Sequence, residues 1–217
     1  MDTQFRPDLI KDYIRQLVPA LGGVHTPVEP TKLRHLFDAK DYAGMLAEIQ
    51  RTMRLHCKVQ LIEEEYPPEF SKTKGARVHI PRSLPSYDDS AFAQACILVC
   101  INKKSPFFPF PFECLVALMA HELAHIILRA IQHPLQYSEE ATDLTAMILG
   151  YANFFTDCLD RPVFLRDSIK NRFRTFFYKL MRKSPQDFLA VGRLGPNGIT
   201  FAATLILTHQ EKYFHHL

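Results

Sequence analysis

Five consecutive residues, His121-Glu122-Leu123-Ala124-His125, set two imidazoles four positions apart with a carboxylate beside the first. On an α-helix, positions four apart lie one above the other on the same face. His121 and His125 can therefore aim two ring nitrogens at one metal ion. Glu122 lies next to them, placed to take a proton from an attacking water. A zinc ion held in this way polarises a carbonyl and lowers the pKa of water, so the chemistry implied is hydrolysis.

That arrangement needs a helix, and the flanking residues provide one. Residues 112–131 contain no Gly or Pro and are apolar at Leu115, Val116, Leu118, Met119, Leu123, Ile126, Ile127 and Leu128. Pro109 and Pro111 stand just before it, as prolines often do at helix starts. A helix this apolar is buried, and two histidines and a glutamate are costly to bury without a partner. A metal ion is the partner that fits all three.

Catalytic zinc keeps three protein ligands and one open position. A second helical stretch opens at Ser138-Glu139-Glu140 and runs to about residue 155. Glu139 and Asp143 are four apart and share a face. One can bind metal while the other accepts a hydrogen bond from a ligand histidine and fixes its tautomer. Glu140, directly beside Glu139, is the alternative ligand. His133-Pro134 breaks the chain between the helices and lets the second fold back on the first.

HELAH followed by a helical ExxxD, Glu139 to Asp143, resembles the gluzincin zinc peptidases, of which thermolysin is the familiar member. The short spacing and small size are more similar to the compact ImmA/IrrE-type peptidases, or to the soluble part of the HtpX and CAAX prenyl-protease group. The resemblance covers residues 58–155. It implies a zincin-like fold, one zinc per chain with His121, His125 and Glu139 as ligands, Glu122 as general base, and Asp143 as the carboxylate behind a ligand histidine. It also implies a protein or peptide substrate. The metzincin pattern is excluded, because Ile131 stands where its third histidine would be and Leu128 where it has glycine.

The rest of the chain must build the frame. At 217 residues, 47% hydrophobic and 23% charged, one compact domain is expected. Residues 1–57 read as an N-terminal helical region, 58–155 as the core and 156–217 as a C-terminal helical region. Ile10, Tyr13, Ile14, Leu17 and Val18 form a helical stripe, and a longer helix is expected over 41–55. Strands are expected around Val59 to Ile62, over 76–80 and over 95–101, giving a sheet of three or four strands beside the HExxH helix. The fold class is α+β, mostly helical. In the families it resembles, a strand upstream of the motif runs along the cleft and pairs with extended substrate. Phe107, Phe108, Phe110 and Phe112, interleaved with prolines, read as a rigid connection packed on the core. A final helix is expected over 199–214, after a turn at Gly192, Gly195-Pro196 and Gly198.

Net charge of +3 does not by itself imply nucleic acid. Residues 161–183 hold eight basic residues against Asp167, on an amphipathic pattern read as a scaffold helix with a solvated face. No apolar run reaches the length of a membrane span, and Asp2, Arg6 and Asp8 leave no secretory signal, so a cytoplasmic protein is expected. Five cysteines, an odd number without a CxxC pair, read as buried free thiols. His25, His35 and His56 read as surface or loop residues. Tyr137, Tyr151, His79 and His209 are the candidates for stabilising an oxyanion. A rival reading is a zinc-bound regulatory or sensing module that does not cleave and acts through protein or nucleic-acid binding. An intact Glu122 speaks against it, since holding zinc does not require that residue.

Overall fold

The structure is a computed structural model that describes residues 5–64, 75–103, 105, 108–159 and 194–214. The basic segment 161–183, Phe107 and the side chain of His209 lie outside the described residues. The fold is α+β, mostly helical, with one small mixed sheet.

Helix α1 (Pro7–Ala20) starts on a proline and buries Ile10, Ile14 and Leu17, the stripe expected from its 3.6-residue period. Helices α2 (Pro30–Asp38) and α3 (Tyr42–Thr52) follow; Asp41 caps α3 by accepting from the Gly44 amide at 2.8 Å. Glu48 of α3 joins the two helices, receiving Lys32 of α2 at 2.7 Å and Arg51 at 2.6 Å. The Arg51 hydrogen bond is the main reason its carboxyl is held down to about 2.

The sheet has strands β1 (Lys58–Glu64), β2 (Ala76–His79) and β3 (Cys96–Asn102) in the order β1-β3-β2. β3 is central, parallel to β1 (Leu61 opposite Val99) and antiparallel to β2 (Val78 opposite Val99). Its alternate residues Ile97, Val99 and Ile101 are fully buried, as a period of two requires of a strand facing the core. Helix α4 (Phe112–Ala130) packs against β2, α2 and α3 on the way to two later helices. Phe110 and Phe112 are buried and Phe108 partly so, as expected for the Phe-Pro connection.

After α4 the chain reverses through Gln132 in the left-handed region (φ 52°), and His133 Nδ1 accepts from the Leu135 amide at 3.1 Å. Ser138 then caps α5 (Glu139–Ala146), accepting from the Ala141 amide at 3.2 Å. The single helix expected up to residue 155 is in fact two. A wide π turn, Met147–Tyr151, with Gly150 at φ 102°, separates α5 from α6 (Ala152–Leu159). The reason is a strap from the N-terminal region: the His25 amide donates to Ile148 O and the Val28 amide to Gly150 O, both at 2.9 Å. The last helix, α7 (Gly195–Phe214), begins before its expected start and takes in Gly198, where a Cβ would crowd Leu194 and Ile10 of α1.

Two cysteine expectations are corrected. Cys114 of α4 and Cys158 of α6 form a disulfide, their Cα atoms 4.9 Å apart, where free thiols were expected. The pairing is created by the packing of α4 on α6 across 44 residues of sequence, which spacing alone does not reveal. Cys57 and Cys100 are buried free thiols, and Cys96 is free but exposed. None of the described helices is long and apolar enough to cross a membrane.

Candidate metal centre

α4 brings His121 and His125 onto one face, and α5 folds back so that its first turn meets them. His121 Nε2 and His125 Nε2 are 3.1 Å apart; Glu139 Oε2 lies 3.2 Å from the first and 3.5 Å from the second. These three atoms form a group that could hold a metal ion. A tetrahedral ion about 2.0–2.1 Å from each donor would set the donors roughly 3.3–3.4 Å apart. The observed triangle has that size before any side chain moves.

The other ring nitrogens are occupied behind the site. His121 Nδ1 meets Asp143 Oδ1 at 2.7 Å, with the carboxylate fully buried. A carboxylate accepts only, so Nδ1 carries the hydrogen. On His125, Nδ1 lies 3.2 Å from Thr142 Oγ1, and that hydroxyl donates its hydrogen to the Ser138 carbonyl at 3.0 Å. Thr142 therefore accepts from His125 Nδ1–H. Both rings thus keep a hydrogen on Nδ1, which leaves Nε2, on the side of Glu139, as the nitrogen that an ion would take in place of a proton.

The charges are strongly coupled. Burial alone would lower the His121 pKa, but hydrogen bonds to Asp143 and Glu139 and the negative charges of Asp143 and Glu122 outweigh it and push the ring up to about 10. The hydrogen bonds to His121 and then His125 hold Glu139 well below the usual carboxylate range. An electron-rich set that holds a proton this firmly is also a good set for a cation. Glu122 is as buried as His121, at 6% and 5% exposure, while His125 and Glu139 leave the site open on one side.

Glu140 is turned away: its carboxylate accepts from Ser138 Oγ at 3.0 Å, in the cap of α5. Of the candidate oxyanion donors, Tyr151 is fully buried and bonded to Thr52, so it does not reach the site. Tyr137 is exposed, its hydroxyl accepting from Arg129 Nη1 at 3.0 Å, and His79 is exposed at the end of β2. His25 is half-buried, while His35 and His56 are exposed, as expected. Two residues beside the site are specified by neither the HExxH nor the ExxxD pattern. Thr142 lies one position before Asp143, and Arg129 lies one turn beyond His125. The i, i+4 spacing of Arg129 was a signal that could have found it.

Two clefts, about 760 and 630 Å³, lie elsewhere and share His25, Arg54 and Leu149. None of the three metal-donor residues lines either one. Concavity alone names no chemistry, whereas converging donor atoms do, and the donor group is the candidate functional site.

Fold and site together define an α+β protein whose HExxH helix and following helix carry a His–His–Glu group able to bind a metal ion. No protein-family model, curated protein or solved structure matches the chain.

Proposed function

We propose that the chain is a zinc-dependent metallopeptidase of the gluzincin type, hydrolysing peptide bonds in a protein or peptide substrate. The observation that carries this reading is the buried carboxylate of Glu122 beside a donor triangle of tetrahedral size. Holding an ion needs only the three donors, whereas hydrolysis also needs a base beside the ion. Two imidazoles and one carboxylate in a triangle of this size suit zinc, and a structural site would favour a fourth protein ligand, usually cysteine. Zinc, when bound, supplies a Lewis acid for the scissile carbonyl and lowers the pKa of water.

The chain's own residues do the rest. Glu122 takes a proton from the attacking water and hands it to the leaving amine. Asp143 and Thr142 keep the imidazoles in their donor tautomers. β2, at the edge of the sheet and packed on α4, offers an extended substrate a strand to pair with. The unbridged cysteines Cys57, Cys96 and Cys100 suit a reducing compartment such as the cytoplasm, whereas the Cys114–Cys158 disulfide suits an oxidising one.

Metal analysis and hydrolysis of denatured casein test the proposal together. The wild type should hold one zinc per chain, and the His121→Ala/His125→Ala double variant none. Glu122→Gln should keep the zinc and the fold yet lose hydrolysis by about 10²–10⁴-fold, because an amide cannot act as a base. Comparable turnover in the Gln variant would rule out the role given to Glu122. Stoichiometric zinc in the double variant would rule out the site.

A further inference from the structure

Along α4 from Met119 to Ala130, His125 and Arg129 are the residues that are not buried. They lie four positions apart, so Arg129 continues the metal-facing stripe of the helix about 6 Å further along its axis. Long side chains on a helix lean back over the preceding turn, which for Arg129 is the turn of His125. Its guanidinium is held by Tyr137, which it covers at 4.3 Å from the ring centroid while donating Nη1–H to the hydroxyl at 3.0 Å. Tyr137 stands two residues before Glu139, on the connection that delivers the third donor, and is 73% exposed.

A guanidinium has five N–H donors. Arg129 gives one to Tyr137, and among the described residues no carboxylate forms an ion pair with it. The acids around it have other partners: Glu139 faces the histidines, Asp143 holds His121 and Glu140 meets Ser138. Glu139 is thus the negative group on the open side of the site, and Arg129, one helical turn along from His125, keeps the rest of its planar donor fork unpaired among the described residues.

We infer that Arg129, backed by Tyr137, recognises a carboxylate of the substrate close to the scissile bond. The inference rests on the peptidase reading and adds a specificity to it. A fork of this kind binds a carboxylate in a bidentate way. Consecutive Cα atoms are 3.8 Å apart, so a carboxylate one or two residues from the cut lies roughly 4–8 Å away, which matches one helical turn. Turned toward Glu139 instead, the same carboxylate would be repelled, which sharpens the choice. Two sources share this chemistry: the free C-terminus of a short peptide, and an Asp or Glu side chain.

The test uses the zinc-loaded full chain and two small probes, succinic monohydroxamate and its neutral amide, with binding measured by calorimetry. The wild type should bind the acid at least about tenfold more tightly than the amide. Arg129→Gln should bring that ratio to about one while leaving zinc content and affinity for the amide unchanged. Arg129→Lys, which keeps the charge but loses the fork, should retain only part of the preference. Equal binding of the two probes by the wild type overturns the inference and leaves the peptidase proposal standing. So does an equal loss for both probes in Arg129→Gln, which would mark Arg129 as a mere brace for the α5 connection. A zinc-loaded protein that binds neither hydroxamate would remove the reading of the site itself, and this inference with it. Cleavage of a mixed peptide library, as free acids and as C-terminal amides, separates the sources. Loss of cleavage on amidation assigns the C-terminus; Asp or Glu within two residues of the cut in both pools assigns a side chain. Cleavage indifferent to both again overturns the inference.

Discussion

Asp143 and Thr142 act on the two imidazoles from behind, each taking up an Nδ1 hydrogen so that both Nε2 atoms face forward. Their contributions should differ. Asp143 is a fully buried charged acceptor, and its replacement by alanine should weaken zinc binding by about 10–100-fold. Thr142→Val removes a neutral acceptor and should do less. Glu139→Ala takes away a donor atom and should do most, while Glu140→Ala should be nearly silent because its carboxylate serves the α5 cap. Competition against a chromophoric chelator gives the order directly, and a dominant loss at Glu140 would shift the third donor by one residue. Much of this was legible in the sequence. HExxH and ExxxD place their residues by helical spacing alone, and spacing also favours Glu139 over Glu140. Thr142 was not legible, since its partner on α4 is 17 residues away and becomes a neighbour only once α5 has folded back.

The elements show where local patterns stop being informative. The apolar run through residue 155 reads as one helix, yet the chain opens into a π turn at Met147–Tyr151. The cause is an interaction from more than a hundred residues away, the strap around Thr26 and its two backbone hydrogen bonds. Gly150 is what makes that docking possible. At φ 102° a side chain is strained, and a Cβ there would run into the Thr26 carbonyl oxygen. Gly150→Ala should therefore destabilise the fold by at least about 1–3 kcal/mol, read as a lowered denaturation midpoint. Glu139 stands at the start of α5, before this turn, and His121 and His125 lie on α4, so zinc affinity of the folded variant should stay near wild type. A variant as stable as the wild type would mean that the strap can move aside. The Cys114–Cys158 bond was illegible for the same reason: two helices must pack before the two thiols become neighbours.

At the scale of the whole molecule, α4 is the element to which the others are fastened. The Arg34–Glu113 ion pair, at 2.7 Å, ties it to α2, and the disulfide ties it to α6. The donor group would tie it to α5 through the ion. A disulfide closing a loop of 44 residues restricts the unfolded chain by about 4 kcal/mol in the chain-entropy view. An ion that binds only the folded site acts differently, favouring the native state through mass action. With free zinc a thousandfold above the dissociation constant, the gain is about 4.1 kcal/mol. For a chain of this size each kcal/mol is worth about 2–4 °C, so a strong chelator should lower the melting temperature by roughly 8–16 °C. The Glu122→Gln variant should show the same drop, because it keeps all three donors. The His121→Ala/His125→Ala variant should show none. Reduction of the disulfide should lower the midpoint further in each protein, since the two ties fasten α4 to different helices and share no residue. Equal melting of the wild type with and without chelator would mean that His121, His125 and Glu139 hold no ion in the folded chain, whatever their spacing.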